Sequence, residues 1–235
     1  MCTLRRLATA LAAVGIGLAG TGCATTTNGS FAFAGHTGPL GATPVAVFTL
    51  DRSLLSTADI NAVMAATRMT VHTSRQDMWD DSPNIADMNC VAVDGPAEDK
   101  IYTGRGWTAM RAQVLQEPGD AGTHYVLQSV VAFPSVADAA AFFTASSLSW
   151  RACSNRRFTY TRPGPDPVWT TARVSNATGT LAISLVLDGV RHWTCQHALT
   201  VAKRVAIDVQ ACGYNQTRPA AVAIVGQIAA KLADR

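Results

Sequence analysis

The stretch of the chain richest in nucleophiles, bases and metal ligands runs from His192 through Cys195 and His197 to Asp208 and Cys212. Three chemistries compete for it. His192, Cys195 and His197 have the donor types of a zinc site. His197 with Asp208 has those of a base and its orienting carboxylate. The two cysteines alone have those of a disulfide. If Lys203-Arg204 is a two-residue turn between antiparallel strands, residues equidistant from it stand opposite one another, and Cys195 faces Cys212. Facing Cβ atoms come close enough to bond. Strand alternation then throws His192 and His197 to opposite faces, against zinc. Ala198, Thr200, Val205, Ile207 and Val209 share one side; His197, Asp208 and Gln210 share the other with the cysteines. His197 and Asp208, offset by about two residues on neighbouring strands, read as a hydrogen-bonded structural pair.

The remaining chemical motifs are weaker. Gly104-Arg-Gly106-Trp-Thr-Ala109 matches G-x-G-x-x-A in letters. A dinucleotide site needs a buried strand before it and an amphipathic helix after it, and residues 111–116 alternate like a strand. The stretch therefore reads as a turn entering a strand. Asp77, Asp80, Asp81 and Asp87 lack the spacing and terminal Glu of a calcium loop and read as a solvated acidic loop. There is no G-x-S-x-G, S-x-x-K or H-E-x-x-H. A non-catalytic protein without metal or cofactor is expected.

The elements that must hold these residues are constrained first by length and address. A chain of 235 residues, 48% apolar and 15% charged, is globular. Its formal charge of +3 includes Arg5 and Arg6; setting them aside leaves near neutrality, which gives no electrostatic case for nucleic acid. Arg5-Arg6 precede an apolar run over 7–19 that is too short to span a bilayer, so residues 1–22 read as a secretory signal. Gly20-Thr-Gly-Cys23 resembles a bacterial lipobox, with Gly20 where Leu is favoured. Lipidation of Cys23 would tether the chain to the extracytoplasmic face of a cell membrane; cleavage by the ordinary signal peptidase would leave it secreted. Residues 23–50 read as lipidated terminus and flexible tether, and 51–235 as one domain.

Beyond Cys2 and Cys23 four cysteines remain, an even number in an exported chain, which implies disulfides. With Cys195 and Cys212 paired by the hairpin, Cys90 and Cys153 pair by elimination. A helix is expected from Ser56-Thr57 to near Met69, with Ile60, Val63, Met64 and Thr67 on one face. Residues 72–100 read as a long loop stapled by Cys90. Strands are expected over 111–116, 123–133, 156–161, 168–174 and 180–187, with Asp188-Gly189 a hairpin turn. A helix capped at Ser135 carries Val136, Ala139, Ala140 and Phe143 inward and delivers Cys153 to Cys90. Pro219 opens a final helix with Val222, Ile224, Val225, Ile228 and Leu232 buried. The sum is an α+β single domain, an antiparallel sheet covered by three helices.

Aromatic residues at loops and strand ends are the remaining signal: Trp79, Trp107, Trp150, Trp169, Trp193, Tyr102, Tyr160 and Tyr214. Aromatics at the mouth of a sheet line ligand clefts, although at least half of these are expected in the core. Tyr102, Arg105, Trp107, Trp150, Arg151 and Trp169 are the candidate ligand-binding set, the arginines supplying contacts for an anionic ligand.

Residues 55–64, the Asn89-Cys90 step, residues 130–143, Trp150-Arg-Ala-Cys153, the Cys195 to Cys212 hairpin and the Ala-Ile-Val-Gly-Gln-Ile-Ala-Ala-Lys helix together resemble the PknH-type extracellular sensor domain of mycobacteria. That family includes the outer domain of a receptor serine/threonine kinase and free-standing lipoproteins. The resemblance covers residues 50–235. It implies pairing of neighbouring cysteines, Cys90–Cys153 and Cys195–Cys212, and a twisted antiparallel sheet flanked by helices. It also implies an open cleft for a small molecule, lipid or cell-wall fragment. A protein-interaction module acting on a membrane receptor kinase or another envelope protein is the alternative.

Overall fold

The computed structural model describes residues 47–119, 122–216 and 218–234. The expected signal, Cys23 and most of the tether lie outside the described residues. Nine strands among them form one antiparallel sheet: β1 (Thr70–Arg75), β2 (Ala109–Gln116), β3 (His124–Ala132), β4 (Arg157–Thr159), β5 (Val168–Thr171), β6 (Ser175–Ala177), β7 (Thr180–Leu187), β8 (Trp193–Ala202) and β9 (Val205–Tyr214). Their order is β1-β2-β3-β9-β8-β7-β5-β4, with β6 paired to β7 beside that path. Six helices accompany them: α1 (Val47–Ser53), α2 (Thr57–Met64), α3 (Val91–Asp94), α4 (Asp99–Tyr102), α5 (Val136–Ala152) and α6 (Ala220–Ala233).

The β8–β9 hairpin has the expected register. Ala202 faces Val205 across Lys203-Arg204, and Cys195 faces Cys212. Lys203 takes a left-handed φ of 54° in that turn, a conformation that lysine adopts at some cost. The register is held nonetheless, because a slip by one residue would turn every apolar side chain of the pair to the wrong face. One face buries Ala198, Val205, Ile207 and Val209 against Ile224, Val225, Ile228 and Leu232 of α6, together with Leu50, Ile60 and Met64. The other buries Leu181, Ile183, Leu185 and Leu199 against Phe142 and Trp150 of α5 and against Cys90, Val93 and Tyr102. Both disulfides, Cys90–Cys153 and Cys195–Cys212, lie on this second face.

Several elements depart from the pattern expected from sequence, each for a physical reason. The helix opening with a Ser56–Asp59 capping box ends at Met64, where Ala65 turns left-handed, five residues before Met69. The Asn61 side chain instead brackets Met69, donating to its carbonyl and accepting from its amide, so the chain leaves the helix early yet buries Met69. Part of the expected loop is β1, an edge strand whose side chains are mostly exposed; hydrogen bonding to β2 rather than burial holds it, so it carries no apolar alternation. Helix α1 begins inside the expected tether, with Leu50 fully buried. Helix α5 buries Ala139 as expected and packs Phe143 partly against the core, but its buried face is turned away from Val136 and Ala140. Val136 is 61% and Leu148 65% exposed, while Phe142, Ser146, Ser147 and Trp150 point inward. Phe142 stacks on Tyr102 with ring centroids 4.4 Å apart and meets Phe133 at 5.2 Å, and these tertiary partners outweigh the local pattern. The expected strand over 168–174 stops at Thr171, the one over 156–161 shortens to β4, and β6 adds a further pairing on β7. Asp188-Gly189 starts a longer connection before Trp193, with Gly189 and His192 both at positive φ, so His192 stands in a turn rather than on a strand face.

The disulfides generate a graded prediction. On the chain-entropy view a bridge stabilises more as its loop lengthens. The Cys90–Cys153 bridge spans 63 residues and Cys195–Cys212 spans 17. Urea denaturation of the Cys90→Ala/Cys153→Ala variant is expected to show a loss of about 4 kcal/mol, and of the Cys195→Ala/Cys212→Ala variant about 3 kcal/mol. Equal losses, or the reverse order, would count against the loop-length account.

Candidate functional site

Segment 91–102 is the bridge between the sheet and the site, and one buried carboxylate holds it. Asp208 of β9 is 5% exposed. Its Oδ2 accepts from the Ala97 amide at 3.0 Å and from the Tyr102 hydroxyl at 2.9 Å, and its Oδ1 lies 2.6 Å from His197 Nε2. His197 Nδ1 lies 3.0 Å from the Val93 carbonyl, which can only accept, so that nitrogen carries a proton. Burial, then the charge of Asp208, pushes the Tyr102 phenol well above its ordinary range, which keeps it a donor. With both ring nitrogens of His197 engaged, none is left to take a proton from a substrate. Ser129 Oγ donates to the Asp208 carbonyl, not to its carboxylate or to His197, so these residues form no nucleophilic relay. The expected structural pair is what stands here.

The cysteine face of the sheet carries two hollows, which together form a trough. One compartment of about 270 Å³ is lined by Asp81, Asp94, Tyr160, Arg162, Pro167, Trp169, Leu185 and Gln210. A second of about 380 Å³ is lined by residues including Glu117, His124, Tyr125, Trp193, Cys195 and Cys212. Trp169 and Gln210 line both, so the two adjoin. The second falls by itself in the size range of small-molecule sites, about 300–1,000 Å³. Strand pairing sets the floor: Leu185 faces Cys195, Cys195 faces Cys212 and Cys212 faces Tyr125, one row across four strands. Gln210 stands one step further in, and its Nε2 donates to the Asp94 carbonyl at 2.7 Å, tying the wall to the floor.

The electrostatics of the trough are uneven. Burial, followed by the charges of Asp81 and Glu98, pushes the Asp94 carboxyl up to about 7; the charge of His197 pulls the other way. Glu98 is likewise raised by burial; its Oε2 accepts from the Asp81 amide at 3.0 Å, while its Oε1 has no partner among the described residues. Tyr160 donates to Asp81 at 2.8 Å, and burial with that bond pushes its phenol up to about 12. At the far end the Thr123 hydroxyl and amide, with His124, hold Glu117 down to about 2.

Of the six candidate ligand residues, the structure brings only Trp169 to the trough. Tyr102 and Trp150 are each 1% exposed and belong to the core, Tyr102 on Asp208 and Trp150 against the His197 ring at 4.4 Å, so neither reaches a ligand. Arg105 and Arg151 are exposed, and Trp107 packs at the edge of the core; none lines the trough. Trp193, Tyr125, Tyr160, Gln210 and Asp94 were missed as site residues. Only the aromatic types of Trp193 and Tyr160 gave a signal. The expected acidic loop is dispersed among separate partners: Asp77 pairs with Arg75, Asp80 accepts from Ser82, Asp81 from Tyr160, and Asp87 pairs with Arg156. No metal-ligating cluster of three is found among the described residues.

Residues 45–231 match the profile of the PknH-like extracellular domain. Over 192 residues, 82% of this chain, the sequence is 36% identical to the serine/threonine-protein kinases PknH of Mycobacterium bovis and Mycobacterium tuberculosis. The chain spans 31% and 30% of the length of those relatives. The crystal structure of the extracellular domain of PknH from Mycobacterium tuberculosis superposes with a TM-score of 0.78 at 34% identity, covering 83% of this chain and all of that one.

The raised Asp94 carboxyl carries a pH prediction with a defined sign. The folded state holds a proton on Asp94 that the unfolded chain releases between the ordinary carboxylate range and about pH 7. Relative to Asp94→Asn, the wild type is expected to gain stability as pH falls from 8 to about 4, by no more than about 1.4 kcal/mol per pH unit, and to gain nothing further below that range. Parallel urea-denaturation profiles of the two proteins across this range would remove Asp94 as the titrating group.

Proposed function

The chain belongs to the PknH-like extracellular domain family, and on that premise we propose that it is a non-catalytic sensor-like module. Its trough binds a small molecule, lipid or cell-wall fragment outside the cytoplasm. The observation that carries the reading is the pair of adjoining compartments on one face of the sheet, with Trp169 and Gln210 lining both. It provides an aromatic wall, a few convergent polar groups and a floor stapled by a disulfide, the composition of a ligand site. Membership of an extracellular-domain family and two buried disulfides support the extracytoplasmic address. No helix among the described residues is long and apolar enough to cross a membrane. Attachment through a lipid on Cys23 is the anchoring route we propose. A second reading is a surface that docks an envelope protein such as a receptor kinase.

Two experiments test these readings. Thermal unfolding against a panel of envelope metabolites, lipids and cell-wall fragments is expected to find a stabilising compound. At a hundredfold excess over Kd the gain is about 2.7 kcal/mol, several degrees in Tm, and Trp169→Ala should abolish it. A panel without any stabilising compound counts against the trough as a binding site, while cross-linking of α5 to a membrane protein would favour the second reading. For the anchor, Cys23→Ser is expected to move the protein from the membrane fraction to the soluble fraction; unchanged fractionation would remove the lipid.

A further inference from the structure

The trough holds one carboxylate that the fold leaves without a partner. The Asp94 backbone carbonyl is bonded to Gln210, but no hydrogen bond or ion pair to the Asp94 carboxylate exists among the described residues. Its surroundings make the charged form costly and add further negative charge: Asp81 and Glu98 face it from neighbouring turns. His197 is already committed to Asp208 and to the Val93 carbonyl. Arg162 at the rim forms no ion pair among the described residues; its Nε is 3.5 Å from the Pro165 carbonyl of its own loop. Beside Asp94 stand the rings of Tyr160 and Trp169, whose faces attract cations and stack on apolar bodies.

We propose that the trough selects an organic cation, seating a protonated amine on the Asp94 carboxylate with the body of the ligand lying along Trp169 and Tyr160. The inference rests on the ligand-binding reading above and narrows it to one chemical class. An ammonium group supplies the donors that Asp94 lacks and offsets the mutual repulsion of Asp81, Asp94 and Glu98. A neutral molecule of the same shape supplies neither charge. An anionic ligand, which the exposed Arg105 and Arg151 favoured from sequence, meets neither of those arginines in the trough; Arg162 at the rim is the cation among the lining residues of that compartment, where an anion would also face Asp81 and Asp94. Binding of the amine is coupled to release of the proton that the empty site keeps on Asp94 near neutrality.

The test uses a matched pair of probes, 4-aminocyclohexanol and 1,4-cyclohexanediol, titrated into the full chain by calorimetry and by the Trp169 indole resonance. The amine stays protonated to about pH 10, so any change between pH 5.5 and 8 belongs to the protein. At pH 8 the amine is expected to bind at least about tenfold more tightly than the diol, since one charge interaction of roughly 1.4 kcal/mol gives that ratio. The advantage should shrink to about twofold or less at pH 5.5, and should vanish in Asp94→Asn, which keeps the shape and the backbone bond to Gln210. If the two probes bind equally at pH 8, the trough is a ligand site without charge selection: this inference falls and the sensor reading stands. An advantage that survives in Asp94→Asn also overturns it. If neither probe moves the Trp169 resonance, the inference falls, and the sensor reading is decided by the wider thermal panel.

Discussion

The buried carboxylate of Asp208 is the constraint on which the rest of the structure depends. A carboxylate at this depth is tolerated only when its lone pairs are filled, and three groups from two segments fill them: His197 from β8, and the Ala97 amide and Tyr102 hydroxyl from residues 91–102. Removing any partner would leave a buried acceptor unmet, so the segment over 91–102 is held in one conformation. The His197 ring in turn packs against Trp150, which fixes the rotation of α5. One polar cluster thus sets both the helix that covers part of the sheet and the segment that walls the trough.

The disulfides act on either side of this cluster. Cys90–Cys153 ties the start of α3 to the end of α5, while Cys195–Cys212 staples facing strands under the trough. Neither makes a site by itself. Both stabilise the cysteine face by constraining the unfolded chain. The opposite face has no such staple and is sealed by α1, α2 and α6. The open half of the sheet is therefore where the fold can afford polar and aromatic side chains such as Gln210, Tyr125 and Trp193.

Asp94 shows what that arrangement leaves open. Its position follows from Val93, whose carbonyl is bonded to His197, and from Gln210, which is bonded to its own carbonyl. Those backbone contacts deliver the side chain to the trough without supplying it a partner. A carboxylate placed so, beside two further acids, is held for something other than stability, since an isolated acid in such surroundings costs free energy when charged.

What could be known from residues alone was whatever local periodicity and pairing dictate. The β8–β9 register follows from the turn position and strand alternation, so the Cys195–Cys212 staple and the side shared by His197 and Asp208 were legible. So were the caps at Ser56 and Ser135, which are bonds between residues three apart. The rotation of α5, the edge strand β1 and the burial of Tyr102 were not, because each is decided by partners far away in the chain: Phe142 on Tyr102, Arg75 on Ala112, Tyr102 on Asp208. The site suffered most. Residues over 91–102 look like a punctuated loop until Asp208 draws them in from over a hundred positions away. Only the tertiary structure decides that Asp94 lines a hollow with its carboxylate left without a partner among the described residues.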